Sequence, residues 1–134
     1  MPFNFGAHAT NLLEIKNMPH IVIEGMPQLE TFFKTYTPCS HDQPNGALKL
    51  LNIFMNPEHN CILIEAIAAE GGPPNRFLVQ IVQHGLKTTV KIYPGTDAEK
   101  TPGVKKLLAL VAHQFITNFP GTKYGSTNLQ DYLL

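Results

Sequence analysis

Four apolar, β-branched runs, at about 47–56, 61–69, 76–84 and 86–93, follow one another too closely for more than a few arrangements to join them. Their connections are Pro57–Asn60, Gly71–Pro74 and His84–Gly85, each the length of a hairpin turn. Strands joined this way run antiparallel, because a parallel return needs a crossover of about a dozen residues or more. The expected centre of the fold is a four-stranded antiparallel meander spanning about 47–93.

Short turns also set strand register. A two-residue His84–Gly85 turn places Gln83 opposite Leu86 and Gln80 opposite Thr89. A four-residue Gly71–Pro74 turn places Glu70 opposite Asn75 and Glu65 opposite Gln80. A Pro57–Asn60 turn places Asn56 opposite Cys61 and Asn52 opposite Glu65. The three turns together align Asn52, Glu65, Gln80 and Thr89 in one polar row.

Side chains alternate between the faces of a strand, so each row implies the next. The face opposite the polar row reads Leu51, Ile53 and Met55, then Ile62, Ile64, Ala66 and Ala68, then Phe77, Val79 and Ile81, then Val90 and Ile92. Its natural cover lies at about 102–119, where Val104, Leu107, Leu108, Val111, Ala112, Phe115, Ile116 and Phe119 recur at helical spacing. Thr101 is the expected cap of this long C-terminal amphipathic helix, Pro102 its first residue, and Pro120-Gly121 its end. Outside the meander, His20–Glu24 reads as a short strand and residues 27–36 as a short amphipathic helix, with Leu29, Phe32, Phe33 and Tyr36 on one stripe. Cys39–Gly46 reads as a polar loop, a helix is expected after Thr10, and a final helical turn within 126–134. With 134 residues, the chain is expected to form a single α+β domain.

The face bearing the polar row also carries Leu48, Leu50, Phe54, Leu63, Ile67, Leu78 and Val82, with Lys87 and Lys91 at its expected far edge. It is too apolar for open water and too polar for an ordinary core. The 27–36 helix, a second subunit or a bound small molecule would each cover it.

Composition narrows the function classes. Ten basic residues balance ten acidic ones, charged residues make up only 15% of the chain, and Arg76 is the sole arginine. Arginine is the side chain best suited to bidentate recognition of phosphate and base edges, so no nucleic-acid partner is expected. No apolar run reaches the roughly 18 residues of a membrane span, and Met1–Lys16 lacks the basic-then-apolar pattern of a secretion signal. A cytoplasmic protein with free thiols at Cys39 and Cys61, and no membrane partner, is expected. Nothing in the residues calls for a cofactor.

Glu65 is the candidate catalytic residue. A carboxyl group flanked by Leu63 and Ile67 on a covered face would be desolvated, which suits general acid or base work, and Gln80 beside it would orient the group or a ligand. On a solvated face or at a subunit interface the same carboxylate has a structural role. The mirrored pairs Cys39-Ser-His41 and His59-Asn-Cys61 contain four zinc-ligand types, but a whole strand separates them and their one-residue spacers are atypical, so no metal site is expected. Cys39-Ser40-His41-Asp42 contains the residue types of a nucleophilic site, although neighbours in one loop rarely form a triad. Gly71–Arg76 resembles a phosphate loop only superficially, since its prolines donate no N–H and no helix follows. His84 and His113 read as solvated residues. The leading expectation is a small binding or regulatory domain, homodimeric through the mixed face. A small-molecule-binding protein or enzyme with a pocket around Glu65 and Gln80 is the alternative. An adaptor presenting strand 20–24 or the Gly71–Pro74 loop to a partner protein is a third.

Overall fold

The structure, a computed structural model, describes residues 18–96 and 98–134. The helix expected after Thr10 lies outside them. The described chain is α+β, but its antiparallel sheet has seven strands where four were expected in the meander. In chain order the elements are β1 (His20–Glu24), α1 (Leu29–Thr35), β2 (Cys39–Gln43), β3 (Gly46–Met55), β4 (Cys61–Glu70), β5 (Asn75–His84), β6 (Lys87–Ile92), α2 (Pro102–Asn118) and β7 (Lys123–Thr127), with a 3-10 turn at Gln130–Tyr132. The strand order is β2-β3-β4-β5-β6-β1-β7, so the meander β2 to β6 is extended by β1 and then β7.

The two added edges are polar. The segment Cys-Ser-His-Asp-Gln, read as loop, pairs as β2 along Gly46–Leu50. Pro44-Asn45 forms the two-residue turn between them, since Gln43 stands opposite Gly46. An edge strand with mostly exposed side chains needs no apolar alternation, which is why composition hid it. β7, Lys-Tyr-Gly-Ser-Thr, on the outer side of β1, likewise has no fully buried residue and no apolar alternation. Lys87 and Lys91 consequently do not mark a sheet edge. Both β1 and β7 lie beyond them.

Two of the three expected registers are revised, and the third, between β3 and β4, holds only from Ile53 to Met55. The β5–β6 turn is Gly85-Leu86, with His84 opposite Lys87 and Gln80 opposite Lys91. Gly85 takes φ 57° as the first central residue, which a glycine accepts readily. Across β4 and β5 the last pair is Ala68 with Asn75, which places Leu63 opposite Gln80 and Glu65 opposite Leu78. Both revisions are slips of two residues, so every side chain keeps its expected face. On β3 the change goes deeper. Ile53 pairs with Ile64 and Leu50 with Ala66, so Leu51 and Asn52 together oppose Glu65 in a β-bulge. The extra residue reverses the alternation, and Leu48 and Leu50 are buried in the core instead of lying on the mixed face.

One core lies between the sheet and both helices. Ile62, Ile64, Phe77, Val79, Ile81 and Val90 supply the sheet side, and Val104, Leu107, Leu108, Val111 and Phe115 supply α2. The short helix docks on this same side: the Phe32 ring stacks on Phe115 at 4.1 Å and 12° between planes. Pro27 is not part of that helix, which starts at Leu29. The Pro27 carbonyl instead accepts a 2.7 Å hydrogen bond from Gln83 Nε2.

The start of α2 is held by the sheet. Thr101 Oγ1 accepts from Val104 N at 3.3 Å, as the sequence suggests. Glu70, at the end of β4, adds a second acceptor: its Oε1 takes the Gly103 N–H at 2.8 Å, and its Oε2 takes the Thr101 hydroxyl. A carboxylate at this position also suits the positive end of the helix dipole. Glu70→Ala is expected to lower stability by about 1–2 kcal/mol in urea denaturation, whereas an uninvolved surface carboxylate would change it by about 0.5 kcal/mol or less.

Candidate functional site

The face of the sheet away from the helices is built mainly from β3, β4, β5, β6 and β1. Its middle reads Leu63, Glu65 and Ile67 on β4, Leu78, Gln80 and Val82 on β5, and Thr89 and Lys91 on β6, all half-buried. Phe54 on β3, opposite Leu63, is 52% exposed. None of Leu63, Ile67, Leu78 and Val82 belongs to the hydrophobic core or packs against it, which distinguishes them from Ile53 and Met55 on the other face. Because α1 stacks on Phe115, no helix of the described residues lies over this surface.

The structure places Glu65, Gln80 and Thr89 on this common face, as expected, but not in a straight row. Glu65 and Gln80 are diagonal neighbours, since each stands opposite a residue two positions from the other. Thr89 lies opposite Val82, a further step along. Asn52 is exposed in the bulge opposite Glu65. Gln80 is oriented by Cys61, with Nε2 donating to Sγ at 3.7 Å, and not by Glu65. The Glu65 carboxylate makes no hydrogen bond and no ion pair among the described residues, and Lys49, Arg76 and Lys91, the cations around it by register on this face, are likewise without ion pairs there. Its field nonetheless reaches the far side of the bulge. The Tyr36 hydroxyl, which donates to the Leu51 carbonyl at 2.7 Å, is pushed well above the usual phenol range by burial first, then by the nearby Cys39 and Glu65.

The other constellations come apart in three dimensions. Cys39 pairs with Leu50 on the core side, while Cys61 shares the mixed face with Leu63, so the two cysteines lie on opposite sides of the sheet. His59, in the β3–β4 turn with φ 60°, pairs instead with Glu30 of α1 at 3.2 Å. Among the described residues no three His, Cys, Asp or Glu side chains converge as metal ligands. Strand alternation likewise sends Cys39 and His41 to one face and Ser40 and Asp42 to the other. Burial raises the Cys39 thiol, which works against a reactive thiolate. Gly71–Pro74 is the β4–β5 connection, where Asn75 Nδ2 donates to the Glu99 carbonyl.

Two clefts lie elsewhere. One of about 310 Å³ runs between His41, Gln43, Leu48, Lys106 and the tail from Asp131 to Leu134. The other, about 460 Å³, borders α1, His59 and Gln83. Neither is lined by Asn52, Glu65, Gln80 or Thr89. Strand 20–24, proposed from the sequence as a docking edge, is interior, paired with β6 on one side and β7 on the other. No helix among the described residues is long and apolar enough to cross a membrane. Comparison with known protein families, curated proteins and solved structures finds no match for this chain.

Proposed function

We propose that this chain is a small binding or regulatory domain that acts as a homodimer, with the open sheet face as the subunit interface. One observation carries the reading. The short helix, the element of the described chain that was free to cover this face, is stacked against Phe115 on the other side. The surface that the described residues leave open combines Phe54, Leu63, Ile67, Leu78 and Val82 with a few polar groups. That mixture matches subunit interfaces better than solvated sheet faces. Five strands at about 4.8 Å spacing and about 3.3 Å per residue offer a flat area of roughly 650 Å². A standard interface buries about 800 Å² per partner, so the face with its rim is of the right size. A single sheet face is also self-complementary under a two-fold axis, the commonest symmetry of soluble oligomers. The free thiols of Cys39 and Cys61 suit a reducing compartment such as the cytoplasm.

Light scattering coupled to gel filtration at micromolar concentration tests the reading. The expected mass is twice the 14.9 kDa of the chain. A particle of single-chain mass at that concentration overturns it.

A further inference from the structure

The geometry points to a specific ionic register within that dimer: Glu65 of each copy pairs with Lys91 of the other. The inference rests on the interface proposed above and adds what aligns it. Glu65 on β4 and Lys91 on β6 stand on either side of β5, the central strand of the seven. Leu78 lies beside Glu65 and Gln80 beside Lys91, so the midpoint between the two charges falls between Leu78 and Gln80, near the middle of the sheet. Both charged residues are half-buried and neither has an ion-pair partner within the described chain. A half-buried carboxylate among Leu63, Ile67 and Leu78 is costly to cover unless an opposite charge meets it.

A two-fold axis lying in the face, through that midpoint and perpendicular to the line from Glu65 to Lys91, exchanges the two positions. Each carboxylate then lies over the ammonium group of the second copy, and the pair forms twice. On a flat lattice with the spacings above, the offset is two strands and two residues, so the strands of the two copies cross at roughly 70°. That crossing belongs with orthogonal sheet packing. The same operation lays the 52%-exposed Phe54 over Val82 of the second copy, covering the largest apolar group on the face. Lys49 and Arg76 are the competing cations, each opposite Ile67 on a strand next to that of Glu65. Both are exposed where Lys91 is half-buried, and an axis exchanging Lys49 with Glu65 would pass between β3 and β4, leaving much of the face uncovered.

Charge reversal tests the register. Glu65→Lys and Lys91→Glu are each expected to raise the dimer dissociation constant by at least about tenfold, because each places two like-charged pairs in the interface. Mixing the two variants is expected to restore dimerisation as a heterodimer, with both ion pairs re-formed in reversed and native sense. Combining both changes in one chain is expected to bring the constant back to within a few-fold of the natural protein. A natural protein that dimerises while either reversal leaves the constant within about twofold overturns the ion pair but not the interface. Rescue of Glu65→Lys by Lys49→Glu or by Arg76→Glu, and not by Lys91→Glu, overturns the register. A monomeric natural protein overturns both proposals. Circular dichroism checks each variant for folding; if Glu65→Lys does not fold, Glu65→Gln serves. Dimerisation of the natural protein is then expected to weaken with added salt and that of Glu65→Gln to do so much less, and equal salt dependence rejects the pairing.

Discussion

Leu78→Glu is expected to yield a folded monomer. Leu78 sits on the central strand directly opposite Glu65, close to the proposed two-fold axis. A second carboxylate there would face its own copy and a nearby Glu65 within a dehydrated surface, the arrangement interfaces tolerate least. A loss of about 3 kcal/mol or more, equivalent to a dissociation constant raised by roughly two orders of magnitude, is expected. Fold stability should change little, by about 1 kcal/mol or less, because Leu78 is outside the hydrophobic core. Gel filtration with light scattering, and urea denaturation followed by circular dichroism, measure the two quantities separately. A variant that stays dimeric removes this face as the interface. A variant that unfolds shows that the face is part of the core after all.

Phe115→Ala should have the opposite signature. Phe115 is fully buried, stacked on Phe32 and 5.9 Å from the Phe119 ring. Truncating a buried phenylalanine costs about 3–5 kcal/mol through lost transfer energy and the cavity left behind. Against a total of about 5–15 kcal/mol, this lowers the urea midpoint severely. Phe32→Ala should cost nearly as much, and the double variant less than the sum, since both remove the same stack. A loss below about 1 kcal/mol for Phe115→Ala would mean that α1 is not docked there. The short helix would then be free to cover the mixed face, and the basis for a dimer would disappear. One substitution on each side of β5 thus separates assembly from stability.

Much of this architecture is legible in the residues. The stripe from Val104 to Phe115, capped by Thr101 and opened by Pro102, is read correctly because helix caps and 3.6-residue periodicity are local properties. The strands from Ala47 to Ile92 are found for the same reason, as apolar runs between turn residues. Their faces survive even where the register is wrong. The Gly85-Leu86 turn and the longer β4–β5 connection each shift the pairing by two residues, and an even slip keeps Glu65 and Gln80 on one side. The β3 bulge is not legible in the same way. Nothing in Leu50-Leu51-Asn52-Ile53 announces an extra residue, yet it moves Leu48 and Leu50 into the core. Strands β2 and β7 escape notice because polar edge strands are specified by their neighbours and not by their own composition.

The working surface divides along the same line. Alternation along β4 and β5 places Leu63, Glu65, Ile67, Leu78, Gln80 and Val82 on one face, and no further information is needed, since every second side chain of a strand points the same way. Which face the short helix covers is different. Leu29, Phe32, Phe33 and Tyr36 say that the helix must pack, but an apolar stripe is satisfied by any apolar surface of the right shape. The stack of Phe32 on Phe115 brings together positions 83 residues apart in the chain, and only the folded protein decides such a contact. Periodicity is written residue by residue, whereas the choice of partner depends on distant groups meeting in space.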